Sequence, residues 1–198
     1  MEAGVSRRAM STEIPAWVQF VWIRPVVSYP PQIIHPVVLR PTPGYPHGNK
    51  GAAMRKTWIQ YRDHHPGIVF IDGDVAVDPW DIREMNRAVL RHPDDVLTGH
   101  AWLWPASLRT GDPVPSHRTW QGQDAVWGAT HPDGTCDYFS FNCTYIPNRL
   151  FQRVADQRAW GRLVFPWADT RLSEIAQQSP RIPIHYLPQV RAKHMNAF

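Results

Sequence analysis

Apolar and polar positions alternate along the chain in a way that predicts short buried strands separated by helices. The clearest apolar run covers residues 68–71, which are all β-branched or aromatic and too few to form a helix. A run of this kind is typical of a central strand covered on both faces. Asp72 and Asp74 follow it directly, with Gly73 between them to let the backbone turn. The pattern therefore predicts a buried strand that carries two acids to the rim of a sheet.

The same reasoning assigns the other elements. Further strands are predicted over residues 17–23, 33–39, 95–98, 138–146 and 182–187. Helices are predicted over residues 49–62, after Asp78, and over residues 147–157 and 168–177. Residues 1–13 are expected to form a flexible tail, residues 105–136 a long loop, and residues 188–198 a second tail. Strands that alternate with helices predict one α/β domain over residues 14–198, with a mostly parallel central sheet flanked by helices.

The helix after Asp78 has the strongest local signals. Asp78 is in a position to cap it, and Pro79 fits its first turn. Ile82, Met85 and Val89 follow at helical spacing and predict its buried face.

Composition limits the class of protein. With 198 residues, of which 43% are hydrophobic, the chain can bury one sizeable core. No apolar stretch approaches the length of a membrane span, and residues 1–8 lack the apolar centre of a secretion signal, so we expect a soluble, cytoplasmic protein. Cys136 and Cys143 are then expected to be reduced thiols, since neither lies in a metal-ligand pattern.

Charge and aromatic content widen the range of partners. The net charge of +4 permits attraction to nucleotides or nucleic acid but contains no dense basic run. The chain also has 10 Trp and 20 Pro, which predicts stiff loops and large flat side chains that can stack on sugar or base rings. Trp102, Trp104 and Trp120 border the predicted long loop and are candidates for binding an acceptor, with a purely structural role as the alternative for each.

Four sets of residues are candidates for chemistry, and each has a structural alternative. Side chains two apart on an extended chain point the same way, so Asp72 and Asp74 could approach one divalent cation, Mn²⁺ or Mg²⁺, that holds a diphosphate; the alternative is a solvated turn. Lys50 opens a helix after a glycine-containing segment and could meet a phosphate, or it could be solvated. Asp169 could act as a base or merely cap a helix. His194 could bind metal or lie on the surface.

In sequence order, five short segments resemble a family 2 glycosyltransferase of the A-type fold. The segments are residues 49–59, 69–75 together with Asp78 and Pro79, 141–149, 168–173, and 186–194. The resemblance extends over residues 35–194 and implies a nucleotide-diphospho-sugar transferase-like α/β fold that is shortened at its N-terminus.

The resemblance also implies roles for particular residues. Asp72, Asp74 and His194 would hold the divalent metal. Lys50, Arg55 and Asn142, together with both aspartates, would bind the nucleotide-diphospho-sugar donor. Asp169 would be the general base, and Ala168 stands where the family has a further acid. The acceptor could be a glycan, a lipid, a protein or a modified nucleic acid.

Two other functional classes fit parts of the pattern. A haloacid-dehalogenase-like phosphatase would use Asp72 as nucleophile, Asp74 as acid and base, and Thr98 as the hydroxyl that binds phosphate. A tryptophan-rich basic module would bind glycans or single-stranded nucleic acid without catalysis.

Overall fold

A computed structural model describes residues 14–21, 35–38, 50–73, 75–103, 114–164 and 167–194. Asp74 and Trp104 lie outside these ranges, and of His194 only the backbone is described, so the roles predicted for these three side chains stay predictions.

The described residues form strands and helices in alternating groups. The strands are β1 (Ala16–Val21), β2 (His35–Val38), β3 (Gly67–Ile71), β4 (Val75–Val77), β5 (Val96–His100), β6 (Trp102–Leu103), β7 (Val114–Pro115), β8 (Arg118–Gln121), β9 (Asp124–Trp127), β10 (Thr135–Cys136), β11 (Thr144–Pro147) and β12 (Ile184–His194). The helices are α1 (Lys50–Tyr61), α2 (Pro79–Arg91), α3 (Asn148–Asp156) and α4 (Ala168–Gln177), and Ala159–Arg162 forms a 3₁₀ helix. All four predicted helices are confirmed.

The central sheet is mixed, so the expectation of a mostly parallel sheet needs correction. Its strand order is β10-β12-β5-β11-β3-β1-β2, and β4 also pairs with β12. Strand β1 is parallel to β2 and β3, and β5 is parallel to β12, but β11 runs antiparallel between β3 and β5. Strands β4 and β10 pair antiparallel with β12. A parallel neighbour requires a long crossover, usually a helix, whereas residues 114–143, which lead into β11, form short strands and turns.

Three predicted boundaries are wrong. The strand predicted over residues 138–146 begins only at Thr144, because residues 141–143 form a turn. Part of the predicted loop 105–136 forms the short strands β7 to β10. The predicted C-terminal tail begins with strand instead, since β12 continues to His194 after an irregularity between Leu187 and Arg191 and pairs there with β4.

Helix α2 agrees with its sequence signals except at the cap. Ile82, Met85 and Val89 are buried as predicted. Asp78 occupies the N-cap position, but its side chain makes no capping hydrogen bond and its Oδ2 lies 3.8 Å from Lys193 Nζ.

Hydrophobic clusters cover both faces of the sheet. Ile68 and Phe70 of β3 join the cluster beneath α1, α3 and α4, whereas Val69 and Ile71 join the cluster beneath α2. The central strand is therefore buried on both faces, as its apolar run predicts. Cys136 and Cys143 are buried free thiols. Among the described helices, none combines the length and apolar character needed to cross a membrane.

Candidate active site at the carboxyl edge of the sheet

Asp72 lies directly after β3, where the buried strand reaches the edge of the sheet. Its backbone N–H donates to the carbonyl of Phe141 at 2.8 Å, and its own carbonyl accepts from the N–H of Val75 at 3.1 Å. Its Oδ1 accepts a hydrogen bond from Lys50 Nζ at 2.6 Å. The backbone of Asp72 is therefore held at both its N–H and its carbonyl, and its carboxylate forms an ion pair with Lys50.

Lys50 is the first residue of α1 and is buried. Its ammonium lies 5.1 Å from the ring centroid of Phe20 and 4.9 Å from that of Phe141, within the range of cation–π attraction. The helix start is held because Gly51 N–H donates to the carbonyl of Leu163 at 2.8 Å. A Cβ on Gly51 would lie 2.1 Å from the carbonyl oxygen of Trp160, so only glycine allows this approach.

Asp169 is the second residue of α4 and belongs to the same group of charges. Its Oδ2 accepts from the hydroxyl of Tyr138 at 3.0 Å, and its Oδ1 accepts from the N–H of Thr170 at 2.8 Å. Burial raises the pKa of Asp169, the ammonium of Lys50 lowers it, and the carboxylate of Asp72 raises it. Residues from three distant segments thus meet at one edge of the sheet. The N-cap position of α4 is taken by Trp167, and Asp169 accepts from a first-turn N–H of the helix, that of Thr170, from within the helix.

Tyr138 was missed by sequence reasoning, because no local spacing links it to Asp169. Burial raises its pKa, so the hydroxyl stays protonated and donates to the carboxylate. The guanidinium of Arg118 lies 4.1 Å from the ring centroid of Tyr138, 4.8 Å from that of Trp127 and 5.1 Å from that of Trp120. The exposed ring of Trp120 is therefore linked to Asp169 through Arg118 and Tyr138.

A second group of side chains that sequence reasoning missed lies at the carboxyl end of β5. The ring of His117 stacks on Tyr186 with centroids 3.6 Å apart, and the hydroxyl of Tyr186 is 2.7 Å from His100 Nδ1. Burial lowers the pKa of His117 to about 4, and burial with the charge of Arg191 lowers that of His100. Both imidazoles are thus neutral near pH 7. The exposed Trp102 meets His100 edge to face at 5.0 Å.

The other predicted site residues have different surroundings. Asn142 is buried, and its amide donates to Ser140 Oγ. Arg55 is exposed on α1 and lines a surface cleft with Arg62 and Arg158, residues outside the Asp72 group. The backbone of His194 pairs with Val75, which brings it beside the residue that follows Asp74.

Asp72 is placed where it could bind a metal ion, but the ammonium of Lys50 already supplies part of the positive charge that such an ion would provide. Lys50 Nζ donates to Oδ1 of Asp72, and a carboxylate has further lone pairs with which it can bind a metal. The ammonium already places a positive charge where a diphosphate would be held.

The structure gives little support to the phosphatase hypothesis. Thr98 lies within β5 rather than at its end, is fully buried, and its hydroxyl is 3.0 Å from that of Thr144. A phosphate group cannot reach this hydroxyl without opening the sheet.

A separate group of metal-capable side chains lies elsewhere. Within the described ranges, only His92, Asp95 and His185 bring three such ligand atoms together, all within 4.8 Å of one another. The segment from His92 to Asp95 offered a local signal, but His185 is too far along the chain for spacing to reveal it.

Comparisons with known proteins support the fold. No family model matches the sequence, and no curated protein matches it. Among solved structures, the chain is similar to the crystal structure of A197 from STIV, with a TM-score of 0.56 and 16% sequence identity. The match covers 90% of this chain and 84% of that chain. The protein thus has a mixed α/β fold shared with A197.

Proposed function

We propose that the protein is a glycosyltransferase that moves a sugar from a nucleotide-diphospho-sugar to an acceptor hydroxyl. The observation that carries this proposal is the meeting of Lys50, Asp72 and Asp169 at the carboxyl edge of β3. Ligands of open α/β sheets bind at this edge. The residues also belong to the segments that resemble family 2 glycosyltransferases.

Lys50 is suited to the departure of the nucleoside diphosphate. Its ammonium is buried against aromatic rings, and a fixed charge in such surroundings acts more strongly than one in water. A divalent cation held by Asp72, Asp74 and His194 would neutralise further charge on the diphosphate. Asp72 orients Lys50 through their 2.6 Å contact.

Asp169 is suited to act as the general base. Burial raises its pKa, which makes its ionised form a better proton acceptor than an exposed carboxylate. Tyr138 and the N–H of Thr170 each donate to one carboxylate oxygen and fix its orientation. Asp169 would therefore take the proton from the acceptor hydroxyl, and Tyr138 would be a positioning residue.

Exposed aromatic rings suggest where an acceptor binds. Trp120 is linked to Asp169 through Arg118 and Tyr138, and Trp102 borders the same edge of the sheet beside His100. Such rings stack well on the apolar faces of sugars. A glycan is the acceptor class that these rings favour.

The proposal is tested by measuring melting temperatures with a panel of nucleotide-diphospho-sugars in the presence of Mn²⁺. A donor at about 100 times its dissociation constant should stabilise the protein by about 2.7 kcal/mol. Asp72→Asn should remove most of this shift, whereas Asp156→Asn, an exposed residue of α3, should keep it. The proposal fails if no member of the panel shifts the wild-type protein. Phosphate release from a simple phosphoester would instead favour the phosphatase.

A further inference from the structure

The group formed by His92, Asp95 and His185 lies at the edge of the sheet opposite to Asp72. Asp95 immediately precedes β5, and His185 is the second residue of β12, which is parallel to β5. Strand β3 runs in the same direction as β5, because both are antiparallel to β11. Asp72 follows the end of β3, so the length of a strand, about 15 Å, separates the two groups.

The distances within the group are close to those between the ligands of one metal ion. Asp95 Oδ2 lies 3.0 Å from His185 Nε2 and 3.5 Å from His92 Nδ1. Nitrogen and oxygen ligands that bind one tetrahedral zinc ion at about 2.0–2.2 Å lie roughly 3.3–3.5 Å from one another. Small side-chain adjustments would therefore bring all three atoms to bonding distance from one ion.

Neighbouring contacts hold the segment 92–95 in place. Arg149 Nη2 donates to Asp95 Oδ1 at 2.8 Å, and Arg149 Nε donates to the carbonyl of Asp94. The hydroxyl of Tyr145 donates to the carbonyl of Pro93 at 2.7 Å. Arg149 thus binds one oxygen of Asp95 and directs the other towards the two imidazoles, as outer partners of metal-binding carboxylates do.

We propose that His92, Asp95 and His185 bind a divalent transition metal of the zinc type. Two imidazoles and one carboxylate suit zinc better than magnesium or calcium, which prefer oxygen ligands. All three residues are partly exposed, so an ion can enter from solvent and water can complete its coordination. The ion would join the end of α2 to the start of β12 and stabilise the fold, without contact with the donor site.

The chain contains a matched control for this group. Asp137 accepts from Arg181 Nη2 at 3.1 Å and lies 3.1 Å from His131 Nε2. It therefore has the same kinds of partner as Asp95 but, among the residues that the structure describes, only one imidazole. The second imidazole, His92, is the difference on which the proposal depends.

The test is titration of the full chain with Zn²⁺ by calorimetry and with Co²⁺ by visible absorption. Wild-type protein should bind one zinc ion at this site, with a Co²⁺ spectrum typical of four-coordinate geometry. His92→Gln and His185→Gln should each weaken binding by about 100-fold or more, and Arg149→Gln by about 10- to 100-fold. His131→Gln should bind zinc like the wild type.

Two results would overturn the proposal. One is zinc affinity that does not change in His92→Gln and His185→Gln. The other is loss of the zinc signal only in Asp72→Asn, which would assign the ion to the opposite edge. Melting curves in metal-free buffer establish that each variant is folded, and His92→Gln, at the exposed end of α2, replaces His185→Gln if that variant does not fold. The nucleotide-sugar panel with Mn²⁺ is read separately, so either proposal can fail without the other.

Discussion

The two edges of the central sheet present an aspartate in different electrostatic surroundings. At the carboxyl edge, Asp72 forms an ion pair with the buried ammonium of Lys50, and the charges of both residues act on the pKa of Asp169. At the opposite edge, Asp95 lies among two imidazoles and the guanidinium of Arg149. An ammonium carries a positive charge that suits an anionic ligand, whereas a neutral imidazole has a lone pair for a metal. The neighbours of each carboxylate, more than the carboxylate itself, indicate its chemistry.

The largest expected effect is a loss of activity when Asp169, at the carboxyl edge, is substituted. Asp169→Asn should lower nucleoside diphosphate release by about 10²- to 10⁴-fold, because a positioned general base contributes about that factor. Its melting temperature should not fall, since the change removes a buried charge. Turnover is measured with the donor that gives the largest thermal shift, and Asp156→Asn serves as the control. Full activity in Asp169→Asn would exclude this residue as the base.

The next effect compares what the two ion pairs, Lys50–Asp72 and Arg149–Asp95, contribute to the free energy of unfolding. Lys50→Met should lower the free energy of unfolding by about 2–4 kcal/mol, because it leaves Asp72 without its cation in a mostly buried position. The Lys50 side chain is 6% exposed and that of Asp72 24%. Arg149→Met should cost about 0–1 kcal/mol, since the side chain of Arg149 is 41% exposed. Guanidinium chloride unfolding in metal-free buffer measures both. Equal losses would contradict the difference drawn between the two edges.

A smaller effect concerns how the carboxyl edge is built. Gly51→Ala should destabilise the protein by about 1–3 kcal/mol and weaken donor binding, because the added Cβ meets the backbone of Trp160 and displaces Lys50. Gly161→Ala, in the 3₁₀ helix that α1 packs against, has open space around its Cβ and should change stability by less than about 0.5 kcal/mol. Thermal unfolding and donor titration measure both variants. Similar behaviour of the two would show that the close approach of α1 does not matter.

The carboxyl edge was easier to predict from sequence than the opposite one, for a physical reason. Asp72 follows a local apolar run, and α1 and α4 have local helical patterns, so Lys50, Asp72 and Asp169 could each be named from nearby residues. Tyr138 and His185 meet their partners only through contacts between distant segments of the chain, which local pattern does not encode. The antiparallel direction of β11 was not predicted for the same reason, because it is set by pairing with the distant strands β3 and β5. Likewise, β12 extends beyond Leu187 because β4 pairs with it and Asp81 Oδ1 accepts from the N–H of Arg191 at 2.9 Å.

The smallest expected effect is a change in the stability of the protein with pH, caused by the titration of Asp169. Its pKa is raised in the folded protein above the unfolded value of about 3.9, so the folded state binds its proton more tightly. The stability that this carboxyl contributes is therefore present below the unfolded pKa and is lost as pH rises through the folded pKa. Relative to Asp169→Asn, the wild type should lose about 1.4 kcal/mol for each unit by which the pKa is raised.

The pH series also reports on the partners of Asp169. Tyr138→Phe removes a hydrogen bond that favours the ionised carboxylate, and Lys50→Met removes a cation that favours it. In both variants, the pH range over which stability is lost should therefore extend to higher pH than in the wild type. The acid limb of the kcat/KM profile should also move to higher pH. Unfolding free energies at several pH values measure the first effect, with Asp156→Asn as the control. A window that stays in place in both variants would mean that neither partner acts on Asp169, and the carboxyl edge would then lack the coupling that distinguishes it from the opposite one.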